Sequence, residues 1–250
     1  MLTYPALGKN GRIGNCLFQI AATAGAAWTM GEDFVLPSSA LVACPSLARF
    51  PSLRPHFRDV LPDGEEYRES RYSHDPVPSS SVRLHGYFQS AKYWKGHESR
   101  VCDLLRPSWT CDKDVPPVQD CVAVHVRRGD YAGLGEYHTN LGVIYYGRAM
   151  DWMRAKGCNV FLVFSDDPSW CVEFFRGMDV RVQPTGDPVD DMIRFSSCGA
   201  HVIANSSWSW WGAYLGASTG ANPVVAPKDW FGPKGPPAWR DVYCPDWIVL

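Results

Sequence analysis

No stretch of this sequence stays apolar for the roughly 20 residues that a membrane-spanning helix needs, so no membrane anchor is expected. Neither charge is in surplus: 24 Lys and Arg stand against 26 Asp and Glu, for a formal net charge of -2. That balance gives no broad basic surface and argues against nucleic acid as a partner. Any phosphate must be met locally. The nine cysteines stand singly, without Cys-x-x-Cys or metal-type spacing. Reduced thiols are therefore expected rather than a disulfide framework or a metal centre, and an odd count on a chain this long points to a reducing compartment. Cys102 and Cys111 are the first pair to suspect if a disulfide forms. Internal repeats and low-complexity tracts are also lacking. The segment that comes nearest to a leader, Leu17 to Trp28, is broken by Gln19 and Thr23 and rich in alanine. It reads as a buried helix.

What is present suffices for a substantial fold. With 250 residues, 46% of them hydrophobic, the chain can bury one large core or two modest ones. From Val122 onward short β-rich runs alternate with amphipathic stretches, the signature of βαβ units around a parallel sheet. Strands are expected at Val122–Val126, Val160–Phe164, Val180–Gln183, His201–Ala204 and Pro223–Ala226. Between the first two, Leu141, Ile144, Tyr145, Ala149, Trp152 and Met153 recur at helical spacing, with Gly157 as a stop. Pro168 and Pro188 each open a further helix, and another spans about Ser207 to Gly216. The first half is less regular: a helix from about Asn15 to Met30, strands at Phe34–Leu36 and Val82–Phe88, then a helix to Leu105. Its middle, Pro37 to Ser81, reads either as loops and short helices covering a ligand or as irregular packing. Pro107 to Asp120 reads as a linker. The expected domains are residues 1–107 and 118–250.

Chemistry concentrates after the predicted strands. Val122 to Tyr131 is an apolar strand that releases His125, Arg127, Arg128 and Asp130 at its carboxyl end. Two arginines there suit a diphosphate, because guanidinium stays charged and forks onto phosphate oxygens. An Arg–Asp ion pair at a strand end is the competing reading. Gly11 and Gly14, just before a helix, allow backbone amides close to an anion or a sugar. They serve equally as a glycine-rich turn with Asn15 as cap. Asp166 and Asp167 follow another apolar strand, where they serve a ligand, a metal or the cap of the helix that Pro168 opens. Ser206 and Ser207 start a helix whose dipole favours an anion. The aromatic row Trp208, Trp210 and Trp211 reads mostly as core.

His125 to Tyr131, His-Val-Arg-Arg-Gly-Asp-Tyr, resembles the signature of the α-1,2-fucosyltransferases, glycosyltransferase family 11. It also resembles a motif shared with α-1,6- and protein O-fucosyltransferases. Four further stretches are similar in order and spacing: Gly11 to Gln19, Gly86 to Ser90, Phe164 to Asp167, and Asn205 to Gly212. The last departs slightly, with Ser207 and Trp208 where threonine and phenylalanine are expected. The resemblance covers nearly the whole chain. It implies an α/β, GT-B-like pair of Rossmann-like halves facing a cleft. It further implies inverting transfer of L-fucose from GDP-fucose to a sugar hydroxyl, O-2 of a galactoside, with no metal and no cofactor besides the donor. A cytoplasmic, soluble enzyme of bacterial or viral type is expected.

On that resemblance Arg127 stabilises the leaving β-phosphate, and Arg128 holds Asp130 or another loop. Asn15 orients the attacking hydroxyl. Asp166 and Asp167 accept from guanine, and Gly14, His125, Asn205, Ser206, Ser207 and Trp208 complete the donor site. Asp130, Glu136 and His138 stand open as general bases. Two alternatives remain: a fucosyltransferase of another linkage or another GDP-sugar, or a turnover-deficient binder of glycan or nucleotide.

Overall fold

The computed structural model describes residues 1–78, 82–108, 118–217 and 222–250. Cys111, and with it any Cys102–Cys111 pairing, lies outside them, as does most of the expected linker. The chain divides into two compact units, Met1–Ser108 with Ala238–Cys244, and Trp109–Pro237 with Pro245–Leu250.

In the first unit β1 (Leu2–Thr3) leads through a glycine-bearing loop into α1 (Ile13–Thr29). This alanine-rich helix is buried on nearly every side, which is why it imitates a leader in sequence. Next come β2 (Phe34–Pro37), α2 (Ala40–Ala43), two 3₁₀ turns, β3 (Phe57–Arg58) and β4 (Glu65–Arg68). The unit continues with β5 (Val82–His85), a 3₁₀ turn at Ala91–Trp94 and α3 (Glu98–Leu104). The sheet order is β3-β2-β1-β5-β4, with every pairing parallel. Two expectations are corrected here. The strand expected through Phe88 stops at His85, where Gly86 turns the chain, and the following helix is split by the 3₁₀ turn. Residues 238–244 join this unit through Asp241, which accepts from the His74 backbone N–H at 2.8 Å and pairs with Lys92.

The second unit is regular. It runs β6 (Cys121–Val126), α4 (Val143–Ala155), β7 (Val160–Ser165), α5 (Pro168–Phe174) and β8 (Val180–Val182). It ends with α6 (Pro188–Ser196), β9 (Ala200–Val202), α7 (Ser207–Ala217), β10 (Val224–Ala226) and β11 (Ile248–Val249). Both prolines sit in the first turn behind an aspartate cap: Asp167 accepts from Trp170 N, and Asp187 from Val189 N and Asp190 N. Gly157, at φ +86°, follows the end of α4. On β6, Val122, Val124 and Val126 enter a core with Tyr146, Met150, Met153, Phe161 and Val163. Alternation sends Ala123 and His125 to the other face.

The architecture is α/β and GT-B-like in its two parallel, Rossmann-like units. The six-stranded sheet runs β11-β10-β9-β6-β7-β8. The chain builds outward from β6 through β7 to β8, then returns to β9 on the other side, so the strand order reverses between β6 and β9. In the first unit the break lies between β1 and β5. Open α/β sheets bind ligands beyond the carboxyl ends of their strands at such breaks. No helix among the described residues is long and apolar enough to cross a membrane.

Candidate active site

The carboxyl ends of β6 and β9 are fixed by α4. Tyr146 Oη donates to His125 O at 3.1 Å, and Tyr145 Oη donates to Ile203 O at 2.6 Å and Val225 O at 3.2 Å. Adjacent tyrosines thus tie α4 to carbonyls at the ends of β6, β9 and β10, Tyr145 sharing its one proton between Ile203 O and a Val225 O that already accepts the Ile203 N–H at 2.9 Å. What leaves those ends is held in a defined place.

Arg127 leaves β6 with its side chain only 13% exposed, its Nη1 2.6 Å from Asp166 Oδ2 and its Nη2 on Asp130. The other oxygen of Asp166 accepts the Arg128 backbone N–H at 2.9 Å. One carboxylate therefore orients both consecutive arginines. These bonds use two of the five guanidinium donors, so among the described residues three of Arg127 stay unspent. Arg128 lies 4.1 Å from the Trp170 ring centre and 3.7 Å from Asp167. The expected ion pair and the expected arginine cluster are thus one object.

Beside it, His125 is buried against Trp208, with ring centres 4.8 Å apart. Burial, and then the charge of Arg127, push its pKa down to about 3, so the ring is neutral at physiological pH. Trp208 Nε1 donates to Pro188 O at 2.8 Å, while Trp210 and Trp211 are wholly buried. Ser206 is buried at the end of the β9 loop, and Ser207 is the first residue of α7. Asn205 spends its amide nitrogen on the carbonyls of Thr139 (3.0 Å) and Trp230 (2.9 Å), tying two loops together.

The three candidate bases differ in placement. Glu136, 73% exposed, pairs with Lys234. Asp130 is engaged by Arg127. His138 stacks on Tyr131, ring centres 3.9 Å apart and 3° from parallel, and bridges Phe231 through its backbone. Burial and the Arg127 charge lower its pKa against the opposing pull of Asp130. Among the candidate residues of this unit, His125 Nδ1, Arg128 Nε, His138 Nδ1 and Asn205 Oδ1 are buried without a hydrogen-bond partner. Such atoms are costly unless water or a ligand completes the bonding.

Asp191 was missed in sequence. It lies on α6, its Oδ2 accepts the Gly186 N–H at 2.9 Å, and its Oδ1 is buried with no hydrogen bond. Arg194 Nη1 forms an ion pair with that oxygen at 3.6 Å, beyond hydrogen-bond range. Burial raises its pKa. Thr185 Oγ1, bonded to Ser165 O at 3.1 Å, ties that loop to the end of β7. An acid four residues before buried Phe195, on the apolar face of an amphipathic helix, is the signal that could have found it. Gly14 and Asn15 lie in the first unit, in the first turn of α1. Among the described residues, no group of three or more His, Cys, Asp or Glu could hold a metal ion.

The model of glycosyl transferase family 11 matches residues 56–250. The chain belongs to that family. Among the chain's relatives, an α-1,2-colitosyltransferase of Escherichia coli is 34% identical over 165 residues, 60% of this chain and 57% of that protein. The human galactoside α-(1,2)-fucosyltransferase 1 is 29% identical over 240 residues, 82% of this chain and 64% of that one. The chain thus spans little more than half the length of several curated relatives it matches. A solved structure of POFUT1 in complex with GDP-fucose superposes loosely, with a TM-score of 0.47 and 10% identity over 90% of this chain and 96% of that one.

Proposed function

We propose that this family 11 member transfers L-fucose from GDP-fucose to a sugar hydroxyl, O-2 of a galactoside, with inversion. The observation that carries the reading is Arg127: nearly buried, held by two carboxylates at the break in strand order, with three donors to spare. As fucose leaves, charge builds on the β-phosphate, and a preorganised guanidinium stabilises that charge without reorganising. His125, Arg128, Ser206, Ser207 and the first amides of α7 complete an anion site. Because Asp166 is committed to the arginines and Asp167 to capping α5, Asp191 is the better acceptor for the N1–H and amino group of guanine. Asn205 shapes the loops, and Trp208 backs His125. His138 is the favoured base, being neutral at physiological pH with Nδ1 unpartnered. No metal takes part in this scheme.

Product formation from GDP-fucose with lactose or an N-acetyllactosamine acceptor tests the reading, repeated in EDTA. Arg127→Ala should lower kcat by about 10²–10³, the cost of removing one such donor. Full activity in that variant refutes the assignment. A second reading, another donor sugar, is favoured by the relative named for colitosyl transfer. Competition among GDP-fucose, GDP-colitose and GDP-mannose decides between them.

A further inference from the structure

The break between β1 and β5 carries a second polar feature, made of carboxamides. Gln89 Nε2 donates to Asn15 Oδ1 at 2.8 Å. Among the described residues Asn15 Nδ2 meets no acceptor, and Gln89 Oε1 is buried without a partner. An amide pair in this state offers one free donor group beside one free acceptor. That is the complement of a hydroxyl, which both accepts and donates.

The pair is held from both sides. Gly86 at φ +156° and Phe88 at φ +53° turn the chain after β5, the latter a conformation that bulky residues rarely adopt. Glu69, half-buried, sustains that turn by accepting the backbone N–H groups of Tyr87 (2.7 Å) and Phe88 (3.0 Å). A Cβ on Gly86 would lie 2.4 Å from Glu69 Cβ, so only glycine fits at this turn. Tyr4 Oη donates to Gly86 O at 2.6 Å and fastens the turn to the end of β1. On the other side Gly11, at φ +97°, passes under Asn15, where a Cβ would strike Nδ2 at 2.0 Å. A strained turn persists only when its surroundings impose it, and strain of this kind gathers at ligand sites.

We infer that the Asn15–Gln89 carboxamide pair binds one hydroxyl of a sugar, and that Glu69 is the positioning residue that sets the pair. The inference rests on the proposed function only for its choice of ligand class. Two sources share the chemistry, the acceptor and the fucose of the donor, and two arms separate them. Saturation-transfer NMR on the full chain is run with lactose and with GDP-fucose, using GDP as reference, beside steady-state kinetics.

Gln89→Ala should weaken binding of one of the two sugars at least tenfold while GDP binding stays within twofold. Loss of lactose assigns the acceptor hydroxyl, and loss of GDP-fucose alone assigns the fucose. Because the two amides act as a unit, Asn15→Ala/Gln89→Ala should be no weaker than the worse single variant. Glu69→Ala should reproduce the Gln89→Ala loss with unchanged circular dichroism, and Glu69→Gln should restore part of it. Should Glu69→Ala fail to fold, Glu69→Gln alone must show an intermediate loss. Binding of both sugars within twofold of wild type in Gln89→Ala overturns the site, as does strict additivity of the two amide variants or a wild type that binds neither sugar. If product forms normally in Gln89→Ala, the site is wrong and the transfer reading stands. If the wild type forms no product yet binds a sugar in a Gln89-dependent way, the site stands and the transfer reading falls.

Discussion

Between β6 and β9 the break in strand order is dressed with ions, two arginines and three aspartates among its nearest side chains; between β1 and β5 it is dressed with the carboxamides of Asn15 and Gln89. Topology is shared and chemistry is not. A parallel sheet supplies a place to bind, because strand ends, loops and helix N-termini converge there. Side chains then decide what binds. Ion-paired guanidinium suits a phosphate, whose charge must be matched, whereas neutral amides suit a hydroxyl, which offers only hydrogen bonds. The contrast predicts that damage to the ionic end falls on donor handling and chemistry, and damage to the amide end on sugar recognition.

The largest effect that sharpens the contrast is expected at His138. Its pKa lies below the ordinary 6.5 of histidine, so the ring is the unprotonated form throughout the neutral range. Activity that depends on it as base should hold at neutral pH and be lost only as pH falls through that lowered value. His138→Gln should cost about 10²–10⁴ in kcat and remove this acid limb from the pH profile. A variant within threefold of wild type at pH 7, its acid limb intact, moves the role to Asp130 or to solvent.

Asp166→Asn comes next. It replaces a charge-assisted bond to Arg127 and weakens the bond to the Arg128 backbone, without emptying the space. Hydrogen bonds to charged groups contribute about 1.5–3 kcal/mol, so KM for the nucleotide sugar should rise about tenfold or more. KM for the acceptor should stay put. A rise confined to the acceptor breaks the division between ionic and amide ends.

How much of this was legible depends on whether the signal was local. The β6 run, the helix starts at Pro168 and Pro188 and the Gly157 stop were readable because strand alternation and helix-end signals act within a few residues. Strands β3, β4 and β11 were not, being two to four residues long and defined by what they pair with. Side-chain partners were harder still. Asp166 read as free for an outside ligand, yet Arg127, 39 positions away, holds it. Gln89 finds Asn15 across 74 positions, and Glu69 finds the turn across 18. Within one sequence no periodicity encodes such meetings. Asp191 is the instructive exception, since its place on an apolar helix face was visible and its value went unread.

The smallest expected effect tests whether charge alone makes the ionic end. Glu136 belongs to the same loop as Asp130 and carries the same charge, but it is 73% exposed and its partner Lys234 is 70% exposed. Exposed pairs are worth about 0–1 kcal/mol, because water screens them and two long side chains lose freedom in forming them. The loop is held instead by backbone bonds, Gly232 N to Tyr137 O at 2.9 Å and Lys234 N to Glu136 O at 2.8 Å, which a side-chain change leaves intact. Glu136→Gln should therefore leave kcat, both KM values and the denaturant midpoint within about twofold or ~0.5 kcal/mol of wild type. A drop in kcat of a hundredfold with stability unchanged would put the base at Glu136 after all. It would also mean that burial is not what separates working carboxylates from idle ones in this loop.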